Sequence, residues 1–405
     1  MHIAIVGMGP AGVSAVQNLR EQDREVEISM FSVEDTPPYS PPCLGNFLLT
    51  GKTKALFWQG KDFAERYKVQ TYPGEKITMV QPQKKELVTH KNRTVTYDRL
   101  IIASGSSLYA PVPGSDKKRV LQFKNLAGAR SLRELAGKRG DAGAVIVGGG
   151  FIGVEIAIYL SNLGISTTLL NRRGWVMPRL LDPETSAYVL ADLHRQGVDV
   201  RLNTEGIEFA GEKEVEYLLT NKEEELRADS YIAATGVRPN IDFLSNSGVE
   251  VEQGILVDDY LQTSAADVFA CGDVAQAKEL ITGRKEVLGL YPLAVAQGRI
   301  AARNTLGQGL RYEPEPNMNS LKGLGFKLMV CGRQRGEELV LQSKNGLKKF
   351  FVEQDRLKGF VLLGDVSDAG LYLTLLKQQK GLGRMKRQLG KPGIAAKLFT
   401  PLQSV

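Results

Sequence analysis

An α/β fold carrying two similar parallel-sheet units is predicted, on three observations. Strand-like apolar runs at HIAIV (2–6) and AVIV (144–147) each lead into glycines spaced G-x-G-x-x-G. Each glycine run opens a segment of helical period, and a second strand-like run follows each helix. The two units lie 141 residues apart, so one module occurs twice within 405 residues. At roughly 150 residues per domain, such a length suggests two or three domains.

In the first module the glycines are Gly7, Gly9 and Gly12, with Pro10 and Ala11 inside the run. Val13, Val16 and Leu19 follow on one helix face, and the alternating stretch 26–31 reads as the next strand. Glu34 lies 22 residues past Gly12. Each part has a physical use. The first glycine makes a tight turn, the second lets backbone approach a pyrophosphate, and the third lets helix pack on strand. The helix amino terminus offers unpaired N–H groups and a positive dipole end to phosphate, and a carboxylate about 20 residues on can accept from a ribose.

The second module repeats this with Gly148, Gly150 and Gly153, enclosing Phe151 and Ile152. Ile156, Leu160 and Leu163 mark its helix face, and 167–170 is the following strand. Two dinucleotides side by side imply electron transfer between them. Where the ribose-binding acid is expected stands Asn171, followed by Arg172 and Arg173. Two readings stay open: the guanidiniums accommodate a 2′-phosphate, or they are solvated and the site takes NAD through Asn171.

Composition narrows the class. Apolar residues make up 42% and charged residues 24%, as in soluble globular proteins. Three cysteines without a C-x-x-C argue against a disulfide framework, a zinc ribbon or a bound iron–sulfur cluster. The histidines, His2, His90 and His194, are scattered, and no metal site is expected. The amino end has no basic leader, and the apolar stretch 144–160 falls short of the ~20 residues that span a bilayer. A soluble, cytoplasmic chain without membrane contact is therefore expected. The net charge of +7 resides in the carboxyl-terminal stretch 369–405, which holds Lys377, Lys380, Arg384, Lys386, Arg387, Lys391 and Lys397 and no acid. No aromatic residues interleave these until Phe399, so nucleic acid is not the expected partner. An acidic protein or plain solvent fits better.

With these motifs in view, the chain resembles the FAD/NAD(P)-dependent pyridine nucleotide-disulfide oxidoreductase superfamily. YDRLIIASGSSLYAPVPG (97–114), with Ser104 and Gly105, is similar to the turn closing the family's FAD site. YIAATGVRPN (231–240), with Thr235 and Gly236, is similar to the turn closing its NAD(P) site. VFACGDVA (268–275) resembles the second flavin motif, in which Gly272 and Asp273 would meet the ribityl chain. The resemblance implies two Rossmann-like domains, a discontinuous FAD domain (1–113 and 243–315) and an NAD(P) domain (114–242). A small α+β domain (316–405) would follow as a partner interface. Stretch 359–376 is similar to the final domain of nitrite reductase flavoproteins and of flavin subunits of anaerobic aldehyde and 2-oxoacid oxidoreductases.

Within the family, dithiol members need two close cysteines, and Cys43 has no partner within 200 residues. Residues 39–46 (YSPPCLGN) align with the cysteine-free segment of rubredoxin- and putidaredoxin-type reductases, with Asn46 where those carry a lysine. Pro41 and Pro42 supply no N–H, and the first cation after Cys43 is Lys52, so Cys43 reads as a packed thiol near the flavin. The alternative is a single-cysteine NADH oxidase, peroxidase or coenzyme A disulfide reductase using Cys43. A flavin-holding scaffold without nicotinamide turnover is a third reading. Glu155 is placed like the family's carboxylate beside the nicotinamide. The expected function is electron transfer between NAD(P)(H) and an iron–sulfur carrier or partner subunit, in a hetero-oligomer or homodimer.

Overall fold

A computed structural model describes residues 1–137, 143–344 and 346–391. The first sheet is wholly parallel, in the order Val268–Ala270, Arg99–Ile102, His2–Val6, Glu27–Phe31, Gln70–Tyr72. Its helices are α1 (Pro10–Gln22) and the single turn α3 (Phe63–Arg66), whereas α2 (Leu44–Thr50) buries Leu44, Phe47 and Leu48 in the second core, with Ile146 and Leu169. The α1 residues expected to face inward, Val13, Val16 and Leu19, are buried with Ile3, Ile5 and Leu100.

The second sheet repeats the plan, in the order Asp199–Leu202, Ser166–Asn171, Gly143–Val147, Ser230–Ala233, Val120–Leu121, all parallel. It carries α4 (Leu126–Gly137), α5 (Phe151–Asn162) and α6 (Pro183–Arg195). In both sheets the strand before the glycines pairs on one side with the strand after the helix. On its other side lies the strand that ends in an A-[ST]-G turn. Helix α7 (Tyr291–Thr305) returns to the first unit and crosses α1 closely: a Cβ at Gly298 would lie 2.2 Å from the Ala11 carbonyl oxygen.

A third sheet is antiparallel, ordered Met318–Leu321, Leu328–Gly332, Arg356–Gly364, Gly346–Glu353, Glu337–Ser343. Helix α8 (Ala369–Gln378) packs Tyr372 and Leu376 against Phe350 and Phe360. This unit is clamped to α6. Lys349, 2% exposed, reaches Asp182 at 2.9 Å, Glu184 at 2.5 Å and Glu338 at 3.3 Å. A desolvated ammonium is tolerated only with such partners. Among the described residues no helix is long and apolar enough to cross a membrane.

Candidate functional site

The two glycine runs have the same geometry. Gly7 (φ +116°) and Gly148 (φ +117°) adopt a backbone that side chains rarely tolerate. A Cβ there would sit 2.1 Å from the Ala103 oxygen or 2.4 Å from the Ala234 oxygen. Gly12 and Gly153 press on the turn itself, with a Cβ falling 2.1 and 1.8 Å from the carbonyl oxygens of Gly7 and Gly148. The middle glycines differ: a Cβ on Gly9 or Gly150 meets nothing within 4 Å. Both are N-caps, of α1 and α5, with no side chain capping the helix. Pro10 has no N–H, so Ala11 and Gly12 bring the first free amides of α1, while Phe151 and Ile152 bring those of α5. Two open amide cradles of this shape fit two pyrophosphates.

The two A-[ST]-G turns meet. Residues 106–108 pair antiparallel with 237–239. Ser104 Oγ donates to the Asn240 carbonyl at 2.8 Å, and the Asn240 amide N–H donates to Gly105 O at 3.0 Å. Thr235 Oγ1 donates to Tyr109 O at 2.5 Å, and Tyr109 N–H donates to Gly236 O at 2.9 Å. One ribbon thus joins the closing turns of both cradles.

Beyond the first sheet, Tyr39 Oη donates to Glu34 at 3.0 Å and accepts from Leu126 N–H at 3.2 Å. Burial raises the Glu34 carboxyl above its ordinary value, against the lowering effect of the Tyr39 bond. Next to it, Met8, Asp35, Thr36, Phe63 and Thr71 line a cavity of about 160 Å³. Among the described residues Thr36 Oγ1, buried there, has no hydrogen-bond partner. A polar orphan beside a carboxylate, at the end of the first cradle, fits a nucleoside.

In the second unit a Cβ on Gly149 would fall 2.7 Å from the Cβ of Asn171, which ends the strand. The Asn171 amide nitrogen donates to the carbonyls of Arg173 at 3.1 Å and Trp175 at 2.6 Å, so that group is spent on its own loop. Gly7 N–H bonds Phe31 O and Gly148 N–H bonds Leu170 O, which sets the register between copies. Glu34 stands three residues past Phe31, and three past Leu170 stands Arg173. Counted along the chain from that register, Arg173 stands level with Glu34. Arg172 and Arg173 are both exposed.

Asp273 does not stand alone. Ser106 Oγ donates to its Oδ2 at 2.8 Å, and Lys124 Nζ donates to the same oxygen at 3.1 Å and to Ser106 Oγ. Gly272 (φ +78°) donates its N–H to Gln297 Oε1 at 2.8 Å. Sequence reading missed Lys124, because no spacing rule joins it to Asp273, 149 residues away.

Glu155 is largely buried on α5 and accepts from Tyr159 Oη at 2.8 Å. Burial raises its carboxyl above the ordinary range, opposed by the Tyr159 bond and by the charge of Lys322. The Tyr159 ring lies over Gly45, where a Cβ would be 2.3 Å from it. Glu155 is thereby linked to the loop of Cys43. Cys43 is half-buried and directly precedes α2, a placement hidden from the sequence by Pro41 and Pro42. Tyr291, at the head of α7, lies near Ser40 and Cys43. Cys271 and Cys331 are buried, and burial pushes each thiol up to about 12. A thiol so disfavoured as thiolate is a packing group.

A profile of the pyridine nucleotide-disulphide oxidoreductase family matches residues 1–298. The chain belongs to that family. It is 27% identical to the assimilatory nitrate reductase electron transfer subunit of Bacillus subtilis, across 99% of this chain and 52% of that one. It is 28% identical to the nitrite reductase [NAD(P)H] of the same organism, across 95% and 48%. It is 29% identical to the benzene 1,2-dioxygenase system ferredoxin–NAD(+) reductase subunit of Pseudomonas putida, across 93% of both chains. The chain thus spans about half the length of the first two relatives. Its fold matches a chain in the crystal structure of the covalent putidaredoxin reductase–putidaredoxin complex, with a TM-score of 0.86 at 24% identity over 93% of each chain.

Proposed function

We propose that this oxidoreductase passes electrons between NAD(P)(H) and a separate one-electron iron–sulfur carrier or partner subunit, by way of FAD. The observation that carries the reading is the pair of matched glycine cradles, joined by one ribbon between their closing turns. The first cradle, with Glu34, Thr36, Ser104, Gly105 and Asp273 around it, would hold FAD, and the second would hold the nicotinamide nucleotide. FAD supplies a centre that takes up hydride and can release electrons one at a time. The protein's part is placement: cradle amides fix the phosphates, and the ribbon sets the distance between sites. Glu155 offers a desolvated acceptor to a nicotinamide carboxamide, and Tyr159 holds it in place.

Several features support this scheme. We assign residues 1–113 with 243–315 to the flavin domain, 114–242 to the nicotinamide domain and 316–405 to the carboxyl-terminal domain. Three relatives of similar sequence are named as an electron transfer subunit, a nitrite reductase and a ferredoxin–NAD(+) reductase subunit, which favours a protein acceptor. A second reading, turnover through Cys43, is favoured by its place at the head of α2 near Tyr291. Alkylation of purified protein separates the two. The carrier reading predicts that nicotinamide-dependent dye reduction survives, and its loss would favour the thiol.

A further inference from the structure

We propose that Lys124 is a positioning residue for the flavin, acting through Asp273; the assignment rests on the first cradle holding FAD. Three segments distant in sequence converge here. Ser106 lies on the ribbon, Asp273 follows the edge strand of the first sheet, and Lys124 lies between the edge strand of the second sheet and α4. Ser106 Oγ and Lys124 Nζ both donate to Asp273 Oδ2, at 2.8 and 3.1 Å, and Lys124 also donates to Ser106. Among the described residues no hydrogen bond reaches Oδ1. The carboxylate is held by one oxygen and keeps the other as a free acceptor, as recognition of a polyol hydroxyl requires.

Side-chain exposure is 26% for Lys124 and 23% for Asp273, so solvent screens the pair only in part. Lys124 therefore does two things. It fixes the rotamer of Asp273, and it cancels a negative charge that would otherwise disfavour a reduced, more negative flavin. Because it belongs to the segment that opens the second unit, it also ties flavin placement to the position of the nicotinamide domain.

The test is a double-mutant cycle on the full chain, read by FAD titration and by the flavin midpoint potential. Lys124→Met should raise the FAD dissociation constant about tenfold or more and lower the potential of the flavin that still binds, a consequence of leaving Asp273 unpaired. Lys124→Arg should restore both. Adding Lys124→Met to Asp273→Asn should weaken binding no further, since coupled residues are not additive. Should Lys124→Met fail to fold, Ser106→Ala removes one donor to the same oxygen and should weaken FAD severalfold. Wild-type affinity and potential in Lys124→Met, multiplicative effects in the double variant, or an indifferent Ser106→Ala would each overturn the assignment. A wild-type protein that takes up no FAD would instead overturn the reading beneath it.

Discussion

Valine at position 9 separates binding from folding. Gly9 has an ordinary φ of −76°, and a Cβ there meets nothing within 4 Å. The protein without cofactor should thus accept Gly9→Val at the modest cost of a poorer N-cap, about 0.5–1 kcal/mol. The space the side chain enters is the one a pyrophosphate needs. Displacing it from two helix-terminal amides removes two charge-assisted hydrogen bonds at about 1.5–3 kcal/mol each, on the order of 10²–10⁴-fold in affinity. The assay is the ratio of flavin to protein absorbance after purification, with urea unfolding of the apoproteins alongside. Wild type should be yellow and the variant nearly colourless, while the unfolding midpoints stay close. Gly12→Ala is the contrast, since its Cβ would fall 2.1 Å from the Gly7 oxygen and should destabilise the fold itself. Stoichiometric FAD in Gly9→Val would refute the assignment of the first cradle.

Replacing Arg172 and Arg173 together with Ala should weaken NADPH roughly ten- to hundredfold more than NADH, from lost charge-assisted bonds of about 1.5–3 kcal/mol; equal effects in stopped-flow titrations would mean that they do not discriminate. Cys43→Ser should keep most NAD(P)H-dependent reduction of a one-electron dye, whereas a loss beyond about a thousandfold, ~4 kcal/mol, would mark an essential thiol. Burial raises the Glu155 carboxyl in the folded state, so above its unfolded pKa the folded protein binds more protons and stability falls as pH rises. Glu155→Gln should therefore stabilise the apoprotein at pH 7 and change little near pH 4; an equal effect at both would contradict this. Lys380, Arg384 and Arg387 changed to Gln should slow electron exchange with an acidic carrier mostly at low salt. Identical rates at every ionic strength would leave them as solvated surface.

The paired modules were legible because the glycines stand two and three residues apart in both copies, next to strand and helix patterns that are themselves local. Contacts between distant segments left no such pattern. Lys124, Ser106 and Asp273 meet only when both sheets are folded. The sequence places Asn171 at the strand end, and only the fold shows its amide nitrogen spent on the carbonyls of Arg173 and Trp175. The basic tail read as free of acids, yet Lys377 pairs with Glu315 and Lys386 with Glu337, carboxylates 62 and 49 residues away. Lys397 lies outside the described residues. Pro41 and Pro42 supply no N–H to Cys43, but two prolines can start a helical turn, and here that turn leads into α2.

The central claim is that the two cradles work as a pair. Anaerobic mixing of the purified, FAD-loaded protein with NADH or NADPH, followed at the visible flavin band, tests it most directly. The flavin should bleach within the mixing experiment, and a one-electron iron–sulfur acceptor added afterwards should restore the band while accepting two electrons per nicotinamide oxidised. A protein that holds FAD firmly but bleaches with neither nucleotide would contradict the account and leave a flavin-holding scaffold in its place.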